Sequence, residues 1–401
     1  MFKKLSFYFF TIIILISLIE IFLFFFLNYQ WNSKPRPLGE NNEVSKYYKN
    51  FHPLFKNNSN LYKPIIIQND YLPYSLGPKS YLYRNYGNGK ETLIKTDELN
   101  FVHNGDQNYN FKFLEKKKDN EKRILFVGGS TTFGTGASKN ENTYPAQVGK
   151  IINSKFKNKH NFLFLNAGVL GFNTQAEHVY LKKYLLDLQP DLIIFLDGSN
   201  DAHLSLIQKE FDKNYHKMEI SKTRKNMFSF PQKLLLLNLC NRVYIKIQEI
   251  INSYNFKNKI LKSHYHKKAG DIMKKNLKNT IDLLKKNNIK GIFYLQPNLF
   301  TKKNINLNDK ILLERLEIKR PGFKKNFLLH YNDFKKVYNQ LRDENRNNSG
   351  IVIRDISNLI ETKNNLKFNY VSWAHFDDIG YNSLAKIISL DIEKILYLNS
   401  N

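Results

Sequence analysis

The sequence predicts an α/β fold, a five-stranded parallel sheet between two helical layers. Short apolar runs of the buried-strand type recur at ILFV (124–127), FLFLN (162–166), DLIIFL (191–196), GIFYLQ (291–296) and GIVIRD (350–355). Helical stretches lie between them, and strands that alternate with helices form a parallel sheet covered on both faces. A chain of 401 residues with 42% hydrophobic content has enough apolar surface to bury such a core.

The N-terminus comes first. Leu5 to Leu27 is a mostly apolar stretch that follows Lys3 and Lys4. As a helix it would extend about 34 Å, enough for a hydrocarbon core of about 30 Å. The bulky exit FFFLNYQW lacks the small residues of a cleavage site, so residues 1–28 read as an uncleaved transmembrane signal anchor. The two leading lysines favour a cytoplasmic N-terminus, against Lys34 and Arg36 behind the span. The expected location is a single pass through a bacterial inner membrane, with the remainder in the periplasm.

Residues 29–115 read as a linker followed by a small β-rich preface, with strands and turns around YLPYSLG and FVHNG. The run EKKKDNEKR, Glu115 to Arg123, reads as a solvated lead-in to the main domain, residues 116–401. Within that domain one helix is expected from near Thr143, with Pro145 in its first turn and Val148, Ile151 and Ile152 on one face. A second covers about 174–188 with Val179, Tyr180, Tyr184 and Leu188 at helical spacing. A third covers about 268–288, with Ile272 or Met273, Leu277, Ile281 and Leu284 inward and Lys285 and Lys286 at its negative end. Residues 203 to about 267 interrupt the alternation and read as a helical insertion beside the site.

The net charge of +27 is spread along the whole chain, and no nucleic-acid module accompanies it, so nucleic acid is not an expected partner. The charge suits attraction to anionic surfaces such as lipid headgroups or acidic glycans. A lone cysteine, Cys240, excludes an intrachain disulfide, and no His/Cys cluster has zinc spacing, so neither metal nor cofactor is expected.

Ligand sites in parallel sheets lie at the carboxyl ends of the strands. There, directly after ILFV, stands GGSTTFG, Gly128 to Gly134. A Walker loop would need a lysine after its last glycine, a hydrolase elbow would need GxSxG, and a dinucleotide fingerprint would need GxGxxG. None of the three fits. Instead Ser130 in GGSTTFG, Gly171 in NAGVLGFNT, Asn200 in DGSND and His375 in SWAHFDDIGYNSLA follow one another in the order of the four blocks of the SGNH (GDSL-type) hydrolases, which this sequence resembles from about residue 116 to the end. Gly129 stands where many members carry Asp. The resemblance implies a flavodoxin-like sheet and a nucleophilic Ser130 with His375 as its base. It also implies an oxyanion hole formed by the Ser130 N–H, the Gly171 N–H and the Asn200 amide. The chemistry is self-consistent, because a serine hydroxyl needs an adjacent base and the tetrahedral intermediate needs donors aimed at its oxyanion. Thr131 and Thr132 are expected to shape the turn, and Asp197 and Asp201 to fix the loop.

The family's third catalytic residue, an Asp three positions before the histidine, is absent, and Ser372 stands there. The expectation is a Ser130–His375 dyad with Ser372 orienting the ring, or with a backbone carbonyl or a carboxylate such as Asp355 or Asp378 substituting. Asp377 is expected to cap the final helix. Three functions are then open. The first is a membrane-anchored esterase acting on an acylated glycan, lipid or small molecule. The second is an O-acyltransferase on envelope or exported polysaccharide, using the same Ser–His pair. The third is a catalytically silent domain that binds glycan or membrane.

Overall fold

The computed structural model of the chain describes residues 15, 17–19, 22, 66–67, 75–76, 81–87, 90–97, 100–104, 117–156, 161–207, 266, 268–357, 367 and 369–397. A first pair of short antiparallel strands, β1 (Ile66–Ile67) and β2 (Ser75–Leu76), is followed by the hairpin β3 (Tyr81–Gly87) and β4 (Lys90–Lys95). Ile94 and Val102 are fully buried, and the Val102 N–H donates to the main-chain oxygen of Asn166 at 2.9 Å, so this region packs onto the edge of the main sheet.

The main sheet comprises β5 (Glu121–Gly128), β6 (Asn161–Gly168), β7 (Leu192–Asp197), β8 (Lys290–Leu295) and β9 (Ile351–Asp355). All neighbours are parallel, in the order β6-β5-β7-β8-β9. That is the flavodoxin-like order, with its switch point between the first and third strands of the sheet. Every residue of β7 is buried, and Ile124–Val127 of β5 are wholly inaccessible. Burial on both faces explains why these strands read as continuous apolar runs. Across the β7–β8 pair, Phe195 and Phe293 stack with centroids 4.6 Å apart. Each such ring removed from water contributes on the order of 1.5–3 kcal/mol.

The helices form the outer layers. They are α1 (Tyr144–Phe156), α2 (Thr174–Tyr180), α3 (Ser199–Ile207), α4 (Lys268–Lys286), α5 (Leu307–Lys319), α6 (Phe323–Glu344) and α7 (Asp378–Tyr397). Helix α1 packs with α7, whereas α6 packs with α3 and α4, and α4 also meets α2. Asp377 caps α7 as expected, accepting the Ile379 and Gly380 N–H groups at 3.1 Å.

Several expectations need correction. Glu121–Arg123 belong to β5 and are not part of a solvated lead-in; Arg123 is buried and donates to the main-chain oxygen of Leu188 at 2.8 Å. The second helix is not uniform over 174–188. After Tyr180 it widens into a π turn (Leu181–Leu185) and then tightens into a 3₁₀ turn (Leu186–Leu188). The π turn advances the buried face by a residue. Leu181 and Leu185 therefore face inward, while Tyr184 is exposed. Residues 203–207 continue α3, and the rest of the expected insertion, 208–265, lies outside the described residues.

By compactness the chain divides into two units, one of residues 60–218 and 257–401, the other of residues 1–59 and 219–256. The sheet and every residue of the expected site belong to the first. The expected anchor lies outside the described residues apart from Leu15, Ser17, Leu18, Ile19 and Phe22, which are helical and exposed. Among the described residues, no helix is long and apolar enough to cross a membrane.

Candidate active site

Strand β5 ends at Gly128, and the chain turns at once into a single helical turn, Ser130–Phe133. Ser130 is the first residue of that turn, where main-chain N–H groups have no acceptor within a helix. Thr131 and Thr132 are buried and hold the turn. The Thr131 hydroxyl donates to the main-chain oxygen of Ala374 at 3.2 Å, and Thr132 Oγ1 lies 3.0 Å from the Tyr144 hydroxyl.

Ala374 belongs to the loop that carries the histidine, so Thr131 ties nucleophile and base together. The end of β8 holds the same loop. The Gln296 amide donates to the Ala374 oxygen at 2.9 Å, and the Leu299 N–H donates to the Trp373 oxygen at 2.9 Å. The outcome is a Ser130 Oγ to His375 Nε2 distance of 2.7 Å between residues 245 positions apart in the chain.

The other ring nitrogen, Nδ1, lies 2.7 Å from Ser372 Oγ. Ser372 Oγ also accepts the His375 N–H at 3.2 Å and the Ala374 N–H at 3.4 Å, which fixes the hydroxyl oxygen against the turn. For His375 to accept a proton at Nε2, its Nδ1 must carry hydrogen and donate to Ser372. Asp355 and Asp378 do not take this place. Asp355 accepts the Ser357 N–H at 2.8 Å. Asp378 accepts the Ser138 N–H at 2.8 Å and its hydroxyl at 2.6 Å, joining α7 to the segment before α1.

Gly171 sits in the loop after β6 with φ 78°, in the left-handed region that glycine tolerates without strain. The loop is anchored to β5 by the Val169 N–H, which donates to the Gly128 oxygen at 2.9 Å. Asn200, in the first turn of α3, donates from Nδ2 to the Phe172 oxygen at 2.7 Å. A side-chain amide carries two donors, so one remains for an oxyanion. Its position also accounts for Gly129. A Cβ at 129 would stand 2.2 Å from Asn200 Nδ2 and 3.1 Å from the Phe172 oxygen. Any side chain at 129 would therefore have to displace the Asn200 amide.

Ser130, Gly171, Asn200, Ser372 and His375 are all half-buried, amid neighbours that are mostly buried. Among them a hydroxyl faces an imidazole whose other nitrogen faces a second hydroxyl, an arrangement able to activate a serine as a nucleophile. Replacing Asn200 by Ala is expected to lower kcat for ester cleavage about 10²-fold with little change in KM, since the lost donor acts on charge that develops in the transition state. Steady-state kinetics read this directly, and an unaltered rate would remove Asn200 from the site.

Three carboxyls on α2, β7 and α3, Glu177, Asp197 and Asp201, are each under 5% exposed. Burial raises all three above the usual carboxylate range, Asp197 to about 7 and Asp201 to about 6. Glu177 is raised well above it, by desolvation and then by the charge of Asp197. Asp201 is counteracted by hydrogen bonds from Thr174, which favour its ionised form. Asp201 thus holds the loop as expected, through Thr174, whereas Asp197 Oδ2 accepts the Tyr338 hydroxyl of α6 at 3.4 Å. The sequence alone gives no signal for Glu177, which α2 brings to the pair.

No protein-family model matches the chain, and no curated protein does. Solved structures with a similar arrangement include the lipase/acylhydrolase from Enterococcus faecalis, with 14% identity over 68% of this chain and 95% of that one, at a TM-score of 0.39. An acetylxylan esterase from Geobacillus stearothermophilus aligns with 12% identity over 68% of this chain and 94% of that one, at a TM-score of 0.38. A GDSL-like lipase from Bacteroides thetaiotaomicron aligns with 13% identity over 68% and 88%, at a TM-score of 0.34. Similarity at this level carries no substrate or activity over to this chain.

Proposed function

We propose that the chain is a serine ester hydrolase of SGNH type that cleaves an O-acyl ester on a carbohydrate or lipid through an acyl-serine intermediate. The observation that carries this reading is the 2.7 Å contact between Ser130 Oγ and His375 Nε2, with Nδ1 held by Ser372 on the far side of the ring. In this scheme Ser130 Oγ attacks the acyl carbon as its proton passes to Nε2. The oxyanion is met by the Ser130 and Gly171 N–H groups and the Asn200 amide, and the alcohol leaves with the proton from Nε2. Water then repeats the sequence on the acyl-enzyme and frees the acid.

The proposal places the enzyme at a bacterial inner membrane, anchored by the N-terminal segment, with the site in the periplasm. Supporting the anchor are the apolar stretch Leu5 to Leu27 and the exposed helical Leu15, Leu18 and Phe22 within it. An O-acyltransferase would share every step up to the acyl-enzyme and then pass the acyl group to a sugar hydroxyl.

The test uses the full chain in detergent micelles with a serine-reactive organophosphonate, followed by peptide mass spectrometry. A covalent adduct on Ser130, absent from the His375→Ala variant, is expected. Modification at another serine, or none, would remove the assigned nucleophile.

A further inference from the structure

Consecutive residues on α3 grip the end of the Gly171 loop that runs into α2, while Val169 holds its other end to β5. Asn200 holds the Phe172 oxygen, as described above, and Asp201 holds Thr174, the first residue of α2. The Asp201 carboxylate accepts the Thr174 hydroxyl at 2.7 Å and the Thr174 N–H at 3.3 and 3.4 Å. Thr174 Oγ1 in turn accepts from the Asn276 amide of α4 at 3.2 Å. The direction of this relay is fixed chemically. The Asn276 amide nitrogen can only donate and an ionised carboxylate can only accept, so the Thr174 O–H must point at Asp201. Thr174 and Asp201 are each 3% exposed, and Asn276 is 9% exposed, so water does not compete for these bonds.

We propose that Asp201 is the positioning residue of the oxyanion hole: through Thr174 it fixes the Gly171 loop against the helix that carries Asn200, and Asn276 anchors that link to α4. The inference rests on the hydrolase reading of the same site. Gly171 occupies a left-handed turn with no side chain to pack, so its N–H direction is set by what clamps the loop on either side. Asn200 also links α3 to the loop, through the Phe172 oxygen, but its amide is the one the oxyanion needs. Donors that wander by about 1 Å from the developing charge can cost about 10² in rate.

The test compares variants of the full chain. Asp201→Leu removes both acceptor oxygens at nearly constant shape, Thr174→Val removes the hydroxyl at constant shape, and Thr174→Ser keeps it. Asp201→Leu and Thr174→Val are expected to lower kcat about 10- to 10²-fold with KM within about twofold, while Thr174→Ser stays near the parent. In an Asn200→Ala background, Asp201→Leu should cost much less than it does alone, because both act on one hole. Equal cost in the two backgrounds would assign Asp201 to general stability and overturn the proposal, as would unchanged kcat in a folded Asp201→Leu protein. If Asp201→Leu fails to fold, the Thr174→Val and Thr174→Ser pair decides: equal turnover in both overturns the proposal. Full turnover in Ser130→Ala would instead sink the hydrolase reading itself. Loss there, with Asp201 and Thr174 variants at parental rates, would sink only the positioning role.

Discussion

Ser130→Ala and His375→Ala are each expected to lower kcat for ester cleavage by about 10⁴–10⁶-fold, and the double variant is expected to be no slower than either single one. The reason is geometric. A serine hydroxyl at neutral pH becomes an effective nucleophile only while its proton is being taken, and His375 Nε2 at 2.7 Å is the group placed to take it. Removing either partner removes the same step, so the losses do not add. What remains after the substitution is the work of Gly171, Asn200 and substrate binding, which by analogy with serine proteases leaves about 10³–10⁴ over water. Both side chains are half-buried at the rim of the site, so truncation leaves no large core cavity and the variants should stay folded. Turnover of a chromogenic acetyl ester, with thermal melting as the folding control, gives the answer. Retention of more than about a tenth of parental kcat by either folded variant would be incompatible with the assigned pair.

The strands were the most legible part of the sequence, because parallel strands buried on both faces need apolar residues throughout. Each of the five runs overlaps its observed strand. The Ser130–His375 contact of the candidate site was legible for a related reason: Ser130 directly follows a strand, and parallel strands bring their carboxyl ends to one edge. Where local periodicity is perturbed, the sequence misleads. The π turn at Leu181–Leu185 places Leu185 inward where regular spacing selects Tyr184. Between residues 297 and 349 the sequence reading assigns no element, although α6 carries a usable signal. Phe323, Phe327, Tyr331, Phe334, Tyr338 and Leu341 recur at helical spacing and are all buried. The relay from Asn276 through Thr174 to Asp201 has no local signature, since its bonds cross 102 and 27 positions of chain. Only the folded α/β core makes those residues neighbours.

Ser372→Asp is expected to raise kcat about 10³-fold. A serine opposite Nδ1 can fix the tautomer and the ring angle, but it brings no charge to the imidazolium that forms as Ser130 attacks. A carboxylate in the same place would stabilise that cation, and replacing the carboxylate of a complete triad by an amide costs about 10⁴ in kcat. The gain here should be somewhat smaller, because Ser372 already orients the ring, whereas the amide in that comparison imposes the wrong tautomer. The turn can accept the change. Ser372 Oγ receives the N–H groups two and three residues ahead, a pattern that an aspartate side chain reproduces, and residue 372 is only half-buried. Ser372→Asn supplies the control: it keeps the turn without the charge and should give no gain. A carboxylate also favours the protonated ring, so the acid limb of the pH–rate profile should move to higher pH in Ser372→Asp and stay in place in Ser372→Asn. Equal rates for the Asp variant and the parent, with the Asp variant folded, would mean that imidazolium formation does not limit turnover, and the missing carboxylate would then have no kinetic cost to this enzyme.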